Sequence, residues 1–354
     1  MDKERLARMV EATRLTSRAR LAEATAHLRQ SAGSGSRLPN MRALLSRLPR
    51  GVPRTPPSVM RPRPGPVLPG RLVDLSYANA SGERTCKLYV PTSHAGQAVP
   101  LIVMLHGGTQ GSDDFAAGTR MNELAERHGF LVAYPEQSRR ANAMGYWNWF
   151  QPKDQRRGSG EASLIAGLTD QMIDTYAVDD RRVYVAGFSA GGAMAAVMAT
   201  AYPDVYAAAG VHSGLAAGAA HDVPSAFAAM KQGAPTSGSP PVPLIVFHGD
   251  GDPTVDHVNA DCLVSAVLPD ARDRQQPVTT RGRVPGGRAY TRRVYSDRDG
   301  APLVEHWTVH QAGHAWSGGS PHGTYTDPQG PDASAEIVRF FTQHALRHAR
   351  QRAA

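Results

Sequence analysis

The stretch that decides the fold is residues 183–192, with the sequence VYVAGFSAGG. Its first four residues have the apolar, partly β-branched character of a buried strand, and the Ala-rich segment after it is typical of a helix. The turn between them places Ser189 between Gly187 and Gly191. Because so tight a turn brings backbone segments close together, its flanking positions favour residues without a Cβ atom. The pattern predicts a strained turn that lifts the Ser189 hydroxyl clear of the strand and sets the Ala190 N–H at a helix N-terminus.

An acidic turn after another apolar strand supplies a partner for this serine. A glycine-rich turn with no chemical role is the alternative interpretation of residues 187–191. A nucleophilic serine also needs a base and a group that orients the base, so the presence of these groups elsewhere in the chain would favour the catalytic interpretation. Residues 244–255, LIVFHGDGDPTV, indicate a strand followed by two candidate carboxylates, Asp250 and Asp252. The spacing of Asp252 to Val255 favours Asp252, and a solvated turn with surface aspartates is the alternative. A calcium loop is disfavoured because the closing glutamate and the alternating oxygen ligands are absent.

A histidine follows in a loop of small residues. Residues 311–319, QAGHAWSGG, place His314 directly after a predicted strand, from which its imidazole can reach over the sheet edge. The order serine, acid, histidine along the chain is the order found in α/β-hydrolases. His310 and His322 are the alternatives for the base.

The remaining requirement is a set of donors for a developing oxyanion. Residues 101–110, LIVMLHGGTQ, predict a strand followed by a glycine turn, the place from which this fold donates a backbone N–H. Gly108 is the first choice for that donor and Thr109 the second, with Ala190 as the other donor. His106 is expected to hold the loop by hydrogen bonds.

The rest of the chain alternates between strand and helix patterns. This alternation predicts an α/β fold, the α/β-hydrolase fold, with a mostly parallel central sheet and helices on both faces. Ligands of such sheets bind beyond the carboxyl ends of the strands. Segments 137–160, 215–240 and 270–300 are predicted to be loops that shape the pocket. The predicted strands are 72–79, 85–90, 101–106, 130–135, 183–186, 206–211, 244–248 and 305–310, and the predicted helices are 113–129, 162–176 and 332–345.

Three regions are predicted along the chain. Residues 1–30 have the spacing of an amphipathic helical segment, residues 31–70 are a Pro/Arg-rich linker, and residues 71–354 are the catalytic domain. The linker holds nine prolines, seven arginines and no acidic residue, so it carries nearly all of the net charge of +8. The domain is therefore close to neutral, which argues against a nucleic-acid-binding groove.

Partners and compartment follow from the same composition. No apolar run approaches the roughly 20 residues of a spanning helix, and the charged start lacks the apolar core of a secretory signal. We therefore expect no transmembrane segment and a cytoplasmic protein. Residues 1–30 would pack on the catalytic domain or form a homo-oligomer. Cys86 and Cys262 are expected to be free thiols.

Five motifs together resemble a known family: HGGTQ (106–110), WNWF (147–150), GFSAGGAM (187–194), HGDGD (248–252) and GHAWSGG (313–319). They are similar to those of the polyhydroxybutyrate (PHB) depolymerase-type esterases, which are related to feruloyl and acetylxylan esterases. The resemblance covers roughly residues 70–345. It implies an α/β-hydrolase in which Ser189 is the nucleophile, Asp252 the orienting acid and His314 the general base, with no metal or organic cofactor.

The resemblance also implies the substrate class. We expect a serine esterase that cleaves hydroxyalkanoate oligomers or other short-chain esters through an acyl-enzyme. The alternatives are a peptidase, a feruloyl or acetylxylan-type carbohydrate esterase, and a non-catalytic binding protein on the same fold. Secreted members of the family carry a signal and a polymer-binding module. Neither is visible here, which argues against attack on solid polyester, and an extracellular location is the alternative if the export that is usual in the family applies.

Aromatic residues near the motifs complete the candidate site. Trp316 lies two residues after His314, and Trp147 and Trp149 lie in the WNWF motif, so all three are candidates for substrate binding. For Trp147 and Trp149, core packing under a long loop is the favoured alternative. Members of the family often have a cysteine just before this motif, where this chain has Tyr146.

Overall fold

The computed structural model describes residues 68–234, 242–268, 276–297 and 299–347. The predicted helix of residues 1–30 and nearly all of the predicted linker lie outside the described residues, so the three-part division of the chain stays a prediction. Within the described residues, no helix combines the length and the apolarity that crossing a membrane requires.

A ten-stranded sheet forms the centre of the described structure. The strands lie in the order β1-β2-β4-β3-β5-β6-β7-β10-β9-β8. The six central strands, β4, β3, β5, β6, β7 and β10, run parallel to one another, and the two strands at each edge are antiparallel to their neighbours. The predicted α/β-hydrolase fold with a mostly parallel sheet is thus confirmed. The strands are β1 (Arg71–Asn79), β2 (Gly82–Val90), β3 (Val99–Leu105), β4 (Leu131–Pro135), β5 (Val178–Phe188), β6 (Ala208–His212), β7 (Leu244–Gly249), β8 (Val278–Arg283), β9 (Ala289–Ser296) and β10 (Pro302–Val309).

Helices cover both faces of this sheet. Successive side chains of β3 point to opposite faces, so Leu101 and Val103 join one apolar cluster while Ile102 and Met104 join the other. Helices α3 to α6 contribute to the first cluster, and α1, α2 and α7 to the second. The helices are α1 (Ser112–Thr119), α2 (Met121–His128), α3 (Gly160–Thr175), α4 (Ala190–Ala201), α5 (Val223–Gln232), α6 (Val258–Val267) and α7 (Ala333–Phe341).

The helix predicted over residues 113–129 is wrong as a single element. Arg120 adopts the left-handed conformation, with φ of 54°, and separates α1 from α2. Its guanidinium donates to the Gly318 carbonyl at 2.9 Å and to the Asp332 carboxylate at 3.0 Å. Contacts with residues about 200 positions away along the chain therefore accompany the break.

All three segments predicted as loops contain regular structure, and segment 137–160 holds a short 3-10 helix, Pro152–Gln155. Strands β8 and β9 lie within 270–300, and α5 lies within 215–240. Strand β8 is an edge strand whose residues are mostly exposed. Its sequence therefore lacks the alternation of apolar and polar residues from which a strand is predicted. Helix α5 begins with a capping box in which the Asp222 carboxylate accepts from the Ser225 N–H. Cys86 and Cys262 are free thiols, as predicted.

A buried histidine on β10 makes the fold sensitive to acid. Burial lowers the pKa of His306 from 6.5 to about 4, and the charge of Arg293 adds to this effect. The unfolded chain therefore binds this proton more tightly than the folded chain. The stabilising contribution is complete above about pH 6.5 and is lost as the pH falls toward about 4.

We predict that His306→Gln reduces the acid sensitivity of unfolding. Because glutamine does not titrate, the drop in melting temperature between about pH 7.5 and about pH 5 should be smaller than in the wild type. Scanning calorimetry measures this drop. His221→Gln, at a histidine whose side chain is 76% exposed, is the matched control and should behave as the wild type. Equal drops in all three proteins would contradict the prediction.

Candidate active site

Ser189 occupies a strained position between β5 and α4. Its φ of 55° and ψ of −118° lie outside the regions that residues with a side chain usually adopt. A Cβ atom on Gly187 would lie 2.2 Å from the Gly191 carbonyl oxygen, and one on Gly191 would lie 2.0 Å from the Leu105 carbonyl oxygen. Both glycines are therefore required by backbone-to-backbone contact, which is the reason given for them from the sequence.

The structure brings Ser189, His314 and Asp252 into one chain of hydrogen bonds. The Nε2 atom of His314 lies 2.8 Å from Ser189 Oγ, and its Nδ1 atom lies 2.7 Å from Asp252 Oδ2. The other carboxylate oxygen of Asp252 accepts from the N–H groups of Thr254 and Val255 at 2.8 and 3.0 Å. The turn after β7 thus fixes the direction in which the carboxylate points.

The charge of this carboxylate is maintained by its partners. Burial alone would raise the pKa of Asp252, but the hydrogen bond and charge of His314 outweigh it, with help from the Val255 N–H. The net result is a pKa below the ordinary value for aspartate. Asp252 therefore stays ionised at neutral pH and can hold the imidazole of His314 in one orientation.

The alternative acid and the alternative base are paired with each other. Asp250 accepts from His310 Nδ1 at 2.7 Å and from the Gln311 N–H at 2.5 Å. The Nε2 atom of His310 lies 2.9 Å from Thr291 Oγ1. His322 donates its backbone N–H to Ser320. Of the candidates left open by the sequence, the structure places Asp252 and His314, and not these, beside Ser189.

Two further histidines support the site and were not singled out from the sequence. Burial lowers the pKa of both His212 and His248, so both are neutral. His212 accepts from the Ser317 N–H at 2.9 Å. His248 donates to the Val255 carbonyl at 2.9 Å, and its Nε2 atom lies 3.6 Å from Asp252 Oδ2. His212 therefore holds the loop that carries His314, and His248 holds the turn that carries Asp252.

Three backbone N–H groups, in the turn after β3 and at the start of α4, have no protein partner among the described residues. The turn after β3 is closed by the Gln110 N–H, which donates to the Gly107 carbonyl at 3.3 Å, and Thr109 has a φ of 67°. Within the described parts of the chain, the N–H groups of Gly108, Thr109 and Ala190 donate to no protein acceptor. These are the residues predicted from the sequence as oxyanion donors.

His106 has the structural role expected for it. Its Nδ1–H donates to the Gly107 carbonyl at 2.8 Å, and its Nε2 accepts from the Gln137 N–H at 3.0 Å. The Trp147 indole donates to the His106 carbonyl at 3.1 Å. The glycine turn is thus held from below by a buried histidine and a buried tryptophan.

A buried carboxylate, which the sequence did not reveal, supports the same turn. Glu161 accepts from Arg84 at 2.9 Å, from Gln137 at 2.6 Å, and from the side chain and the N–H of Asn148, both at 2.7 Å. These partners satisfy a group whose isolated burial would be costly. Arg84 is 77 positions away in sequence, so no local motif indicates the pair.

The three tryptophans predicted to bind substrate are all buried. Trp147 and Trp316 are 0% and 1% exposed, and Trp149 is also buried. Trp316 stacks on His212 with ring centroids 4.9 Å apart and donates to Ser334 Oγ at 3.0 Å. Core packing, the favoured alternative for Trp147 and Trp149, therefore applies to all three.

Two tyrosines, Tyr146 and Tyr325, lie beside the turn that holds Gly108 and Thr109. We call the surface formed by Thr109, Tyr146 and Tyr325 the mouth of the site. The Tyr146 ring lies against Gly108, where a Cβ atom would come within 1.9 Å of Cε1. The Tyr325 hydroxyl lies 3.2 Å from Thr109 Oγ1, and Tyr325 is 42% exposed. Neither tyrosine was among the site residues predicted from the sequence.

Comparison with known proteins identifies the family. A sequence model described as Esterase PHB depolymerase matches residues 85–272, which include Ser189 and Asp252. The chain belongs to this family. It is 33% identical to poly(3-hydroxyalkanoate) depolymerase C of Paucimonas lemoignei over 255 residues, covering 68% of this chain and 58% of that protein. It is 37% identical to feruloyl esterase B of Neurospora crassa over 141 residues, covering 38% of this chain and 47% of that protein.

These matches confirm the resemblance that the motifs indicated. The chain spans roughly half the length of these two relatives, 58% and 47%. An acetyl xylan esterase structure from Aspergillus awamori matches with a TM-score of 0.61 at 20% identity, covering 77% of this chain and 100% of that one. At that identity the match supports the fold alone.

We predict that Gly191→Ala destabilises the protein and that Gly313→Ala does not. The Cβ of the first would collide with the Leu105 and His106 carbonyl oxygens, whereas the second would meet no atom within 4 Å. We expect a loss of about 3 kcal/mol or more for Gly191→Ala and less than about 1 kcal/mol for Gly313→Ala. Urea denaturation measures both values, and similar stabilities would show that the backbone contact does not limit this turn.

Proposed function

We propose that this protein is a serine carboxylic-ester hydrolase that works through an acyl-enzyme. The observation that carries the proposal is the hydrogen-bonded chain from Asp252 through His314 to Ser189. Ser189 ends this chain and directly precedes Ala190, and Gly191 packs on the Leu105 and His106 carbonyl oxygens just before the turn of Gly108 and Thr109. Among the described residues, the N–H groups of Ala190, Gly108 and Thr109 donate to no protein acceptor. A nucleophile, a base, an orienting acid and oxyanion donors are the parts that acyl transfer requires.

Each part has a defined task in the reaction. Ser189 Oγ attacks the ester carbonyl while His314 Nε2 takes its proton, and the Asp252 carboxylate stabilises the imidazolium through the Nδ1–H. The oxyanion of the tetrahedral intermediate accepts from the Ala190 N–H and from the Gly108 or Thr109 N–H. His314 then donates the proton to the leaving oxygen, the alcohol departs, and an acyl ester on Ser189 remains.

A water molecule completes the cycle. His314 takes a proton from the water as its oxygen attacks the acyl carbon, and it returns the proton to Ser189 Oγ as the carboxylic acid leaves. The residues named here supply every proton transfer.

The substrate proposed is a hydroxyalkanoate oligomer or another short-chain ester. Its support is the match to the poly(3-hydroxyalkanoate) depolymerase, which extends over 255 residues, against 141 for the feruloyl esterase. A carbohydrate ester is the second candidate, supported by that shorter match. Hydroxybutyrate oligomers, feruloyl esters and acetylated xylan in one activity panel distinguish the two. A cytoplasmic location and a homo-oligomer formed through residues 1–30 stay predictions.

Replacement of the nucleophile gives the first test. We predict that Ser189→Ala lowers the rate on a short p-nitrophenyl ester by at least about 10⁴-fold while the protein stays folded. Labelling by a fluorophosphonate should disappear in the same variant. Ser265→Ala, at an exposed serine on α6, is the control and should retain both properties. Substantial activity or labelling in Ser189→Ala would refute the mechanism and leave a non-catalytic binding protein as the better hypothesis.

The two aspartates after β7 give the second test. Asp252→Asn removes the charge that orients His314, so we expect kcat to fall by about 10³–10⁴-fold. Asp250→Asn weakens only the contact with His310 and Gln311, so we expect a change of less than about tenfold. Steady-state kinetics on the same ester compares them, and a larger loss in Asp250→Asn would transfer the orienting role to that residue.

A further inference from the structure

Two tyrosines flank the turn that carries the proposed oxyanion donors. Tyr146 packs on Gly108, and the Tyr325 hydroxyl lies 3.2 Å from Thr109 Oγ1. The Tyr325 ring is 6.3 Å from that of Phe188, which in turn lies 4.8 Å from the imidazole of His314. A single aromatic ring therefore separates Tyr325 from the proposed base.

The backbone holds Tyr325 in a conformation that its side chain disfavours. Its φ is 52°, in the left-handed region that costs residues with a side chain free energy. Its carbonyl accepts from the Trp316 N–H at 2.7 Å, and the preceding Thr324 donates its N–H to Asp114 at 2.8 Å. Strained conformations that the surrounding structure enforces are concentrated at ligand-binding positions.

The exposed side chains at the mouth carry hydroxyl groups, which are uncharged and can donate hydrogen bonds. Thr109 and Tyr325 each carry one hydroxyl proton, and their mutual hydrogen bond uses one, so one proton is left for a ligand. Burial raises the pKa of Tyr146 to about 12, and the neighbouring Tyr325 adds to the effect. The Tyr146 side chain therefore stays uncharged and lines the mouth with its ring. Thr109 and Tyr325 are both exposed, so both hydroxyl groups are accessible to a ligand.

We propose that Tyr325 is a specificity-determining residue whose hydroxyl, held by Thr109, donates to a second, uncharged oxygen of the substrate near the scissile ester. The inference rests on the proposed esterase function and narrows it. Esters with a hydroxyl or a further ester oxygen close to the reacting carbonyl are favoured over plain alkyl esters. Loss of a buried or partly buried hydrogen bond to a neutral group lowers affinity by about tenfold, so the effect is measurable.

Matched pairs of substrates test this inference. On the acyl side the pair is p-nitrophenyl butyrate and p-nitrophenyl 3-hydroxybutyrate, and on the alcohol side it is butyl butyrate and 3-hydroxybutyl butyrate. In Tyr325→Phe, which keeps the ring, we expect KM for the oxygen-bearing member of at least one pair to rise about tenfold. The kcat/KM for the plain member should stay within about twofold.

The partner hydroxyl provides an independent check. Thr109→Val removes the hydroxyl but keeps the shape and the backbone N–H, so it should shift selectivity in the same direction. Thr109→Ser keeps the hydroxyl and should retain the wild-type selectivity. Tyr77→Phe, on the edge strand β1, is the matched control for loss of a phenol hydroxyl.

The outcomes separate the inference from the function on which it rests. If the wild type is active and Tyr325→Phe and Thr109→Val leave both selectivity ratios unchanged, the inference is wrong and the esterase function stands. An equal loss for both members of each pair would assign Tyr325 a structural role and would also overturn it. If the wild type hydrolyses no ester and Ser189 takes no fluorophosphonate label, both proposals fail together.

Discussion

Contact between the backbone of Gly191 and the end of β3 is the constraint on which the site depends. With no Cβ at Gly191, the first turn of α4 can approach the Leu105 and His106 carbonyl oxygens. The same approach brings the Ala190 N–H close to the turn that begins directly after β3. Ser189 occupies its strained conformation because the elements on either side of it are packed this tightly. The proposed nucleophile and the two proposed sources of oxyanion donors are therefore assembled by one packing contact.

Charge is distributed around this contact in a way that suits the chemistry. The carboxylate of Glu161 is buried beneath the oxyanion turn, where Arg84 and several amide donors satisfy it. Beside the proposed base, Asp252 is the acidic group, while burial keeps the pKa of His212 and of His248 below the ordinary value. Neutral histidines fix the loops without repelling the positive charge that the proposed base would acquire when it takes the serine proton. Protonation of either one would oppose that step, so under the proposed mechanism their burial serves function as well as packing.

The parts of the site that depend on local geometry were predictable, and the parts that depend on distant contacts were not. A turn with two glycines or a histidine loop after a strand carries its own signal, and the order of the motifs constrains the fold. Asp250 and Asp252, by contrast, follow the same strand two positions apart, and the histidine that each meets is decided by the neighbouring strand β10. Trp316 lies close to His314 in sequence, yet packing on His212 and a bond to Ser334 turn it into the core. Strand β8 was missed because an exposed edge strand needs no apolar alternation.

The mouth of the site lies where the segment after the Gly108–Thr109 turn meets the segment after His314, the proposed base. Gln110 and Asp114 of the first segment hydrogen-bond to Thr324 of the second, and the Ser320 N–H donates to the Gly118 carbonyl. The Ser320–Gly118 bond joins backbone to backbone, whereas the bonds to Thr324 use the side chains of Gln110 and Asp114. The relative position of the two segments therefore depends on these two side chains and not on the exposed ones. A framework of this kind allows the few exposed side chains to vary without disturbing the reacting groups. Under the proposed function, selectivity among esters can therefore be set at the mouth while the geometry of the glycine contacts maintains the arrangement of the reacting groups beneath it.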